Sequence, residues 1–379
     1  MTSQRIRALA LASLSLFLLF LLLARSFMPG LSAGRSSQDL GLIESIIRLV
    51  RNDYLERVDP DKTMEGAFRG LVQGLDPLSS YLNRSELAAY REAGSVPLYD
   101  AGIVLIKEPG GMPRVIDVEK GRPAAKSGVK IGDFLSAIDG QPTFGLSLTE
   151  LRLLLRSREN RPAVLRVVRQ TSTVEITVER TLRPAADCSY APETSTAGVL
   201  TVRRMSPALA GQAANALPVG VKSSSAPLVL DLRTCWEGDA DSARAFINLF
   251  LKAERAGVFL SRDGSRKALS CPGDPEWGKT PLVVWTGTGT HGAAEIAAGV
   301  LKFFKRASVV GHRTPGLAAE QTLFPLDDGS ALLLTTGIFV LPSGVKLWEE
   351  GVVPDIDLGP PQAERSLYLK KTLETAAGR

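Results

Sequence analysis

Apolar residues recur at helical spacing through 40–57, where Leu42, Ile43, Ile46, Ile47, Val50, Tyr54 and Leu55 share one side of a 3.6-residue repeat. A second helix is expected over 64–72, opened by Asp59-Pro60 and stopped by Gly74, with Leu75-Asp76-Pro77 turning the chain. Between Tyr99 and Leu182 the apolar runs shorten to strand length, at 103–106, 114–118, 134–138, 163–168 and 174–178. They surround a short helix opened by Pro123 and closed by Gly128, and a longer one over 147–156; Asp139-Gly140 marks a hairpin turn. Residues 183–194 read as a linker. From Gly198 onward strands (198–203, 227–232, 281–285, 307–310) alternate with helices (208–216, a long one over 239–256, 293–304), and 331–334 and 337–341 follow as paired strands. That alternation predicts an α/β domain with a central mixed sheet. The whole sequence is then a multidomain α+β protein: an N-terminal segment over 1–35, a helical region over 36–98, a β-rich domain over 99–182 and the α/β domain over 183–379.

The first segment carries a different pattern. Arg5 and Arg7 precede an uncharged run over 8–24, and Arg25 closes it. At about 1.5 Å per residue the run just spans a thin hydrocarbon core. A cleaved secretory signal and an uncleaved signal anchor both fit; the length of the run and the lack of an A-x-A cleavage site favour the anchor. Either exports the rest of the protein to the cell envelope, on the periplasmic or extracytoplasmic side. Residues 28–37, rich in Gly and Ser, read as the linker that follows.

Composition narrows the function. At 44% apolar and 22% charged residues the protein is folded rather than disordered. Its net charge of +5 is scattered without basic blocks or interleaved aromatics, so no nucleic-acid partner is expected. Cys188, Cys235 and Cys271 are far apart and lack a histidine cluster, which excludes an obvious metal site; an exported protein can oxidise one pair and leave one thiol. No cofactor motif is present. With His291 and His312 the only histidines, a Ser-His-Asp triad has little to draw on.

The chemistry should lie in the stretch TGTGTHGAAEIAAGVLKFFKRASVVGHRTPGLAAEQ, residues 286–321. Its Glu295, Ile296, Ala298, Val309, Val310, Gly311, Thr314, Gly316 and Gln321 match the catalytic core of the carboxyl-terminal processing (tail-specific) serine peptidases, which this protein resembles. Two further strings carry the resemblance: DYLERVDP…EGAFRGLVQGLDPLSSYL in the helical region, and LDDGSALLLTTGIFVLPSGVKLWEEGVVPDIDL near the C-terminus. KGRPAAKSGVKIGDFLSAIDGQP is similar to the PDZ domain of that family. The resemblance runs from about Leu40 to Leu358.

The resemblance implies a serine nucleophile at a helix N-terminus, a desolvated lysine base, a residue that orients the lysine and an oxyanion hole. Here the nucleophile position is Gly292, the base position is Leu317 and the orienting position is Gln321. The oxyanion turn reads Asp231-Leu232-Arg233-Thr234-Cys235-Trp236-Glu237-Gly238, keeping Gly238 but placing Trp236 and Glu237 where they should reshape the hole. Replacement nucleophiles are weak candidates: Thr290 is not served by the adjacent His291, Cys235 has no base by motif, and Ser343 sits in a turn. Lys302 and Lys305 lie well down the following helix, and Glu295 reads as a first-turn acid favoured by the helix dipole. The resemblance also places a peptide-binding loop at Ala101, Gly102, Ile103 and Val104, where backbone N–H groups would hold a peptide carboxylate while the peptide adds as a strand. The expected function is a catalytically impaired relative, a pseudopeptidase, that binds protein or peptide tails. It would sit at the membrane, alone, as a homo-oligomer or in a hetero-oligomer with an active relative. Two alternatives stand beside it: a divergent active serine-type peptidase, and a non-catalytic envelope scaffold.

Overall fold

The computed structural model describes residues 33–377 apart from 94, 95, 97, 109, 120, 195, 196, 224 and 360–363. The apolar run over 8–24 lies outside the described residues. Among those described, no helix is long and apolar enough to cross a membrane. Contacts divide the protein into two units, 1–66 and 67–379. In the first unit, helix α1 (Ala33–Asp53) begins inside the segment expected to be linker and carries exposed Leu42, Ile43, Ile46 and Leu49. Helix α2 (Pro60–Gln73) starts where Pro60 fixes the first helical residue and the Asp59 carboxylate accepts from the N–H of Asp61 at 3.0 Å.

The second unit takes in the end of α2; strand β1 (Ser80–Leu82) and helix α3 (Arg84–Glu92) follow, neither of which the apolar pattern announced. Asn83 and Glu86 build a capping box at the start of α3. The PDZ region follows as β2 (Tyr99–Asp100), β3 (Ile103–Ile106), β4 (Arg114–Val118), α4 (Pro123–Lys126), β5 (Phe134–Ile138), β6 (Gln141–Pro142), α5 (Leu148–Leu155), β7 (Ala163–Arg169), β8 (Ser172–Val178) and β9 (Thr181–Leu182). The sheet runs β3-β4-β5-β7-β8 with β6 on β5, and β2 pairs with β9. Its buried face carries Val115, Leu135, Ile138, Leu165, Val167 and Val178, packed with Leu148 and Leu151 of α5. Arg180 is fully buried; Asp139 pairs with it at 2.7 Å, and it donates to the Leu155 carbonyl at 3.0 Å.

The remaining elements are β10 (Cys188–Thr194), β11 (Ala197–Val202), α6 (Leu209–Ala216), β12 (Leu228–Asp231), α7 (Ala240–Ile247), β13 (Ala253–Ser261), β14 (Arg266–Cys271), β15 (Leu282–Thr286), α8 (Ala293–Phe303), β16 (Ser308–Gly311), β17 (Ala319–Pro325), β18 (Ala331–Val340), β19 (Ile356–Asp357) and α9 (Arg365–Ala377). One sheet runs β10-β11-β12-β15-β16-β19, parallel throughout except for β10 against β11. Both faces are covered, which explains its unbroken apolar strands. Leu200, Leu230 and Val284 face the helical side with Leu209, Phe246 and Ile296, whereas Val199, Val229, Val283 and Val310 face Tyr368 of α9. A second sheet runs β1-β18-β13-β14, with β17 also on β18.

Three expectations need correction. The linker over 183–194 contains β10, because Cys188 and Tyr190 turn into the core while Pro192 sits on an edge strand that needs no N–H there. The long helix over 239–256 ends at Ile247; Ala253 onward is β13, whose ladder with β14 and β18 outweighs an apolar spacing that fits either period. The paired strands over 331–341 are one strand, β18, running through Gly337, and its partner is the unanticipated β17.

The parallel sheet depends on a close approach at Gly311. A Cβ there would lie 2.0 Å from the carbonyl oxygen of Thr286, and φ is +137°. Gly311→Ala should therefore destabilise the second unit by about 2–4 kcal/mol. Urea denaturation followed by circular dichroism measures this, and an unshifted midpoint would mean that the β15–β16 edge can give way.

Candidate functional site

Strand β15 leads into a tight turn, 287–292, that starts α8. Thr290 fixes the turn: its hydroxyl accepts from the Gly287 N–H at 3.0 Å and donates to the Leu232 carbonyl at 2.8 Å. The N–H of His291 reaches the Cys235 carbonyl at 3.0 Å, which ties the turn to the 231–238 loop. Gly292 then adopts φ +55°, a conformation costly for residues with a side chain. A Cβ there would still have room, since its nearest neighbour is the Leu317 carbonyl oxygen at 3.6 Å.

Glu295, fully buried in the first turn of α8, binds the two halves of the site together. One carboxylate oxygen accepts from the N–H groups of Gly292 at 2.9 Å and Leu317 at 2.7 Å. The other accepts from the Thr314 hydroxyl at 2.5 Å and the Gly316 N–H at 2.6 Å. Its role is thus a bracket across the site rather than a dipole-facing acid alone. Leu317 is buried and joins the apolar cluster that contains Leu78, Ile103 and Leu105. Gln321 donates from its side-chain amide to the Leu78 carbonyl at 3.0 Å.

The 231–238 loop supplies the opposite wall. Trp236 lies under three guanidinium groups, Arg152 at 4.6 Å, Arg156 at 5.4 Å and Arg183 at 5.8 Å from the ring centroid. Glu237 pairs with Arg156 and, at 2.7 Å, with Arg183. Burial pushes its carboxyl up, but these arginines outweigh burial and hold it below the usual range. Gly238 has φ +142°, and a Cβ would meet Met205 at 2.5 Å, so the surviving glycine is required by space as well as by backbone.

Gly292, Leu317, Gln321, Glu237 and Gly238 all line one cleft of about 230 Å³, together with Trp236, His291, Arg152 and Arg156. No serine, cysteine or lysine is among the described residues lining it. The other side chains weighed as nucleophiles are buried or engaged. Thr290 is fully buried with its hydroxyl engaged, and burial raises the Cys235 thiol far above its ordinary value. Burial likewise pulls the His291 imidazole down to about 3. Lys302 pairs with Asp355 at 3.0 Å. A buried lysine, Lys107, lines a different cleft, where its ammonium donates to the Leu146 carbonyl at 2.5 Å. All three cysteines are free and buried, with no disulfide.

Ala101, Gly102, Ile103 and Val104 do not line the Gly292 cleft. Ala101, Ile103 and Val104 are buried, and the Gly102 N–H already donates to the Asp100 carboxylate at 3.1 Å. A Cβ on Gly289 would touch the Val104 methyl at 3.5 Å, so this loop and the turn before α8 lie against each other. Sequence reasoning missed Arg152 and Arg156 as part of the site. Their signal was four-residue spacing on the expected 147–156 helix, which puts both on one face.

Comparison with known proteins agrees with this geometry. Residues 196–358 match peptidase family S41, 114–169 match a PDZ domain and 29–86 match the "Activating protease CtpB N-terminal domain". A "Probable CtpA-like serine protease" of Staphylococcus aureus (strain COL) is 26% identical over 327 residues, which cover 86% of this protein and 66% of that relative. The protein thus spans about two thirds of that relative's length. "Carboxy-terminal processing protease CtpA" of Bacillus subtilis (strain 168) is 25% identical over 341 residues, 89% of this protein and 73% of that one. Among solved structures, the photosystem II D1 C-terminal processing protease superposes with a TM-score of 0.69 at 25% identity, covering 83% of this protein and 86% of that one.

Glu295 gives the site a pH signature. Burial raises its carboxyl from 4.5 to about 7, against the opposing pull of the Thr314, Gly316, Gly292 and Leu317 donors. Between these values the folded protein holds the proton and the unfolded one does not. Stability from this group is therefore fullest below about pH 4.5 and declines as pH rises through about 7. Glu295→Gln should abolish that decline, worth roughly 3 kcal/mol in the wild type, and should itself cost about 1–3 kcal/mol because an amide cannot accept from all four donors. Urea denaturation at about pH 5 and about pH 8 checks both, and parallel pH dependence in the two proteins would refute the assignment.

The matched domains and the shared fold identify a protein that carries an S41 peptidase domain, a PDZ domain and a CtpB-like N-terminal domain, similar to the carboxyl-terminal processing serine proteases, with Gly292 and Leu317 lining the cleft of its S41 domain.

Proposed function

We propose that this protein is a non-cleaving relative of these peptidases that captures extended protein or peptide tails at the cell envelope. The observation that carries the reading is the cleft itself. Glycine stands where the attacking hydroxyl is needed, leucine where the base is needed, and no lining serine, cysteine or lysine among the described residues offers a replacement. A glycine has no atom to form an acyl-enzyme, and a leucine takes up no proton. The PDZ domain supplies the peptide-binding half of the function. Capture of a tail carboxylate at Ala101–Val104 requires Asp100 to release the Gly102 N–H that it now occupies. The uncharged run over 8–24 is assigned as the export signal or membrane anchor, and partnership with an active relative would let captured tails be passed on.

The test is to incubate the purified protein with unstructured tail peptides beside a Gly292→Ser/Leu317→Lys double variant. Removal of nucleophile or base in a serine protease costs about six orders of magnitude in turnover, so the wild type should bind tails and leave them intact over days. Activity in the double variant would show the scaffold to be complete but for the dyad. Cleavage by the wild type that persists through protease-inhibitor controls, at a rate near that of the double variant, would overturn the proposal.

A further inference from the structure

The Gly292 cleft contains a cation that no anion of the protein neutralises by contact among the described residues. Around it the other charges are matched. Arg122 pairs with Asp100; Arg183 pairs with Asp100 at 2.8 Å and Glu237 at 2.7 Å; Arg156 pairs with Glu237. The two carboxylates that line the cleft are both engaged, Glu237 by its arginines and Asp239 by the Ser242 N–H at 2.7 Å as the cap of α7. Arg152, on α5 four residues before the C-cap residue Arg156, has no ion-pair or hydrogen-bond partner among the described residues. Its guanidinium carbon instead lies over the Trp236 ring, 4.6 Å from the centroid. With no acceptor bound among the described residues, its N–H donors remain unspent, and a guanidinium of this kind can take a carboxylate through two parallel hydrogen bonds. Burial lowers its pKa to about 10, which still leaves it charged at neutral pH.

His291, 3% exposed and lining the same cleft, supplies a second unpaired group. Its Nε2 lies 3.1 Å from the Thr288 carbonyl oxygen, which can only accept. The neutral ring therefore carries its proton on Nε2, and Nδ1 is a buried acceptor without a partner among the described residues.

We propose that the cleft which lacks a nucleophile binds a peptide carboxylate, either an acidic side chain or the free C-terminus of a peptide, on the guanidinium of Arg152 held in place by Trp236. This rests on the non-cleaving, peptide-binding reading and adds the chemistry that the cleft selects. A peptide carries an amide N–H close to any such carboxylate, and that donor suits the unpaired Nδ1 of His291. Glu237 acts on Arg152 through space without forming an ion pair with it, because its contacts go to Arg156 and Arg183.

Trp236 makes the site self-reporting. The full-length protein would be titrated with four N-acetylated alanine heptapeptides, followed by tryptophan fluorescence and calorimetry. Three are C-amidated, with central Asp, Asn or Lys; the fourth is all alanine with a free C-terminal carboxylate. At least one carboxylate peptide should bind about tenfold more tightly than the Asn peptide, and the Lys peptide more weakly still. Whichever of the Asp and free-terminus peptides is tighter identifies the source of the carboxylate. Arg152→Gln should erase the preference, Arg152→Lys should restore part of it, and Trp236→Phe should remove the fluorescence change. Equal binding of all four peptides to the wild type, or a preference that survives in a folded Arg152→Gln protein, would overturn this inference while leaving the peptide-binding reading in place. Binding of none would overturn both.

Discussion

The buried carboxylate of Glu295 organises the site. It receives four hydrogen bonds, two on each oxygen, from the segments that flank the glycine and leucine positions, and thereby fixes the start of α8 against the 314–317 loop. None of these bonds involves a catalytic side chain. The frame is therefore independent of the chemistry it would position. On the proposed non-cleaving reading, this frame is what lets the peptidase fold stand without a nucleophile.

The replacements also suit the frame energetically. A lysine at position 317 would have to be buried beside Leu78 and Ile103, where its charge is disfavoured; leucine removes that cost and adds apolar contact. On the other wall, Trp236 and Glu237 are embedded in an arginine cluster from the PDZ region, so the altered loop is held by interactions of its own rather than left loose. The charge at this wall of the cleft is supplied by guanidinium groups, Arg152 and Arg156.

The sequence made the order of the matched regions and the PDZ strands legible, because glycines, prolines and short apolar runs mark turns locally. Strands β3, β4 and β5 begin and end where their apolar runs do. What was hidden depends on distant partners. Residues 253–261 carry apolar side chains compatible with either period and become strand only because β14 and β18 flank them. Glu295 looked like an ordinary first-turn acid because three of its four donors come from 314–317. The Arg152–Trp236 stack joins residues of different domains, and spacing within one helix showed only that Arg152 and Arg156 share a face.

Strand β1 has a consequence for how the molecule comes into being. Ser80 pairs with Leu333 and Leu82 with Ala331, so the PDZ region is an insertion between two parts of a single sheet. During synthesis the early strand emerges long before its partner exists, and the PDZ region can condense by itself in the interval. The sheet closes only when nearly all of the polypeptide has left the ribosome, which makes its assembly a late, long-range and slow event. Until then Ser80–Leu82 is an unpaired edge, open to chaperones or to the β18 of another copy.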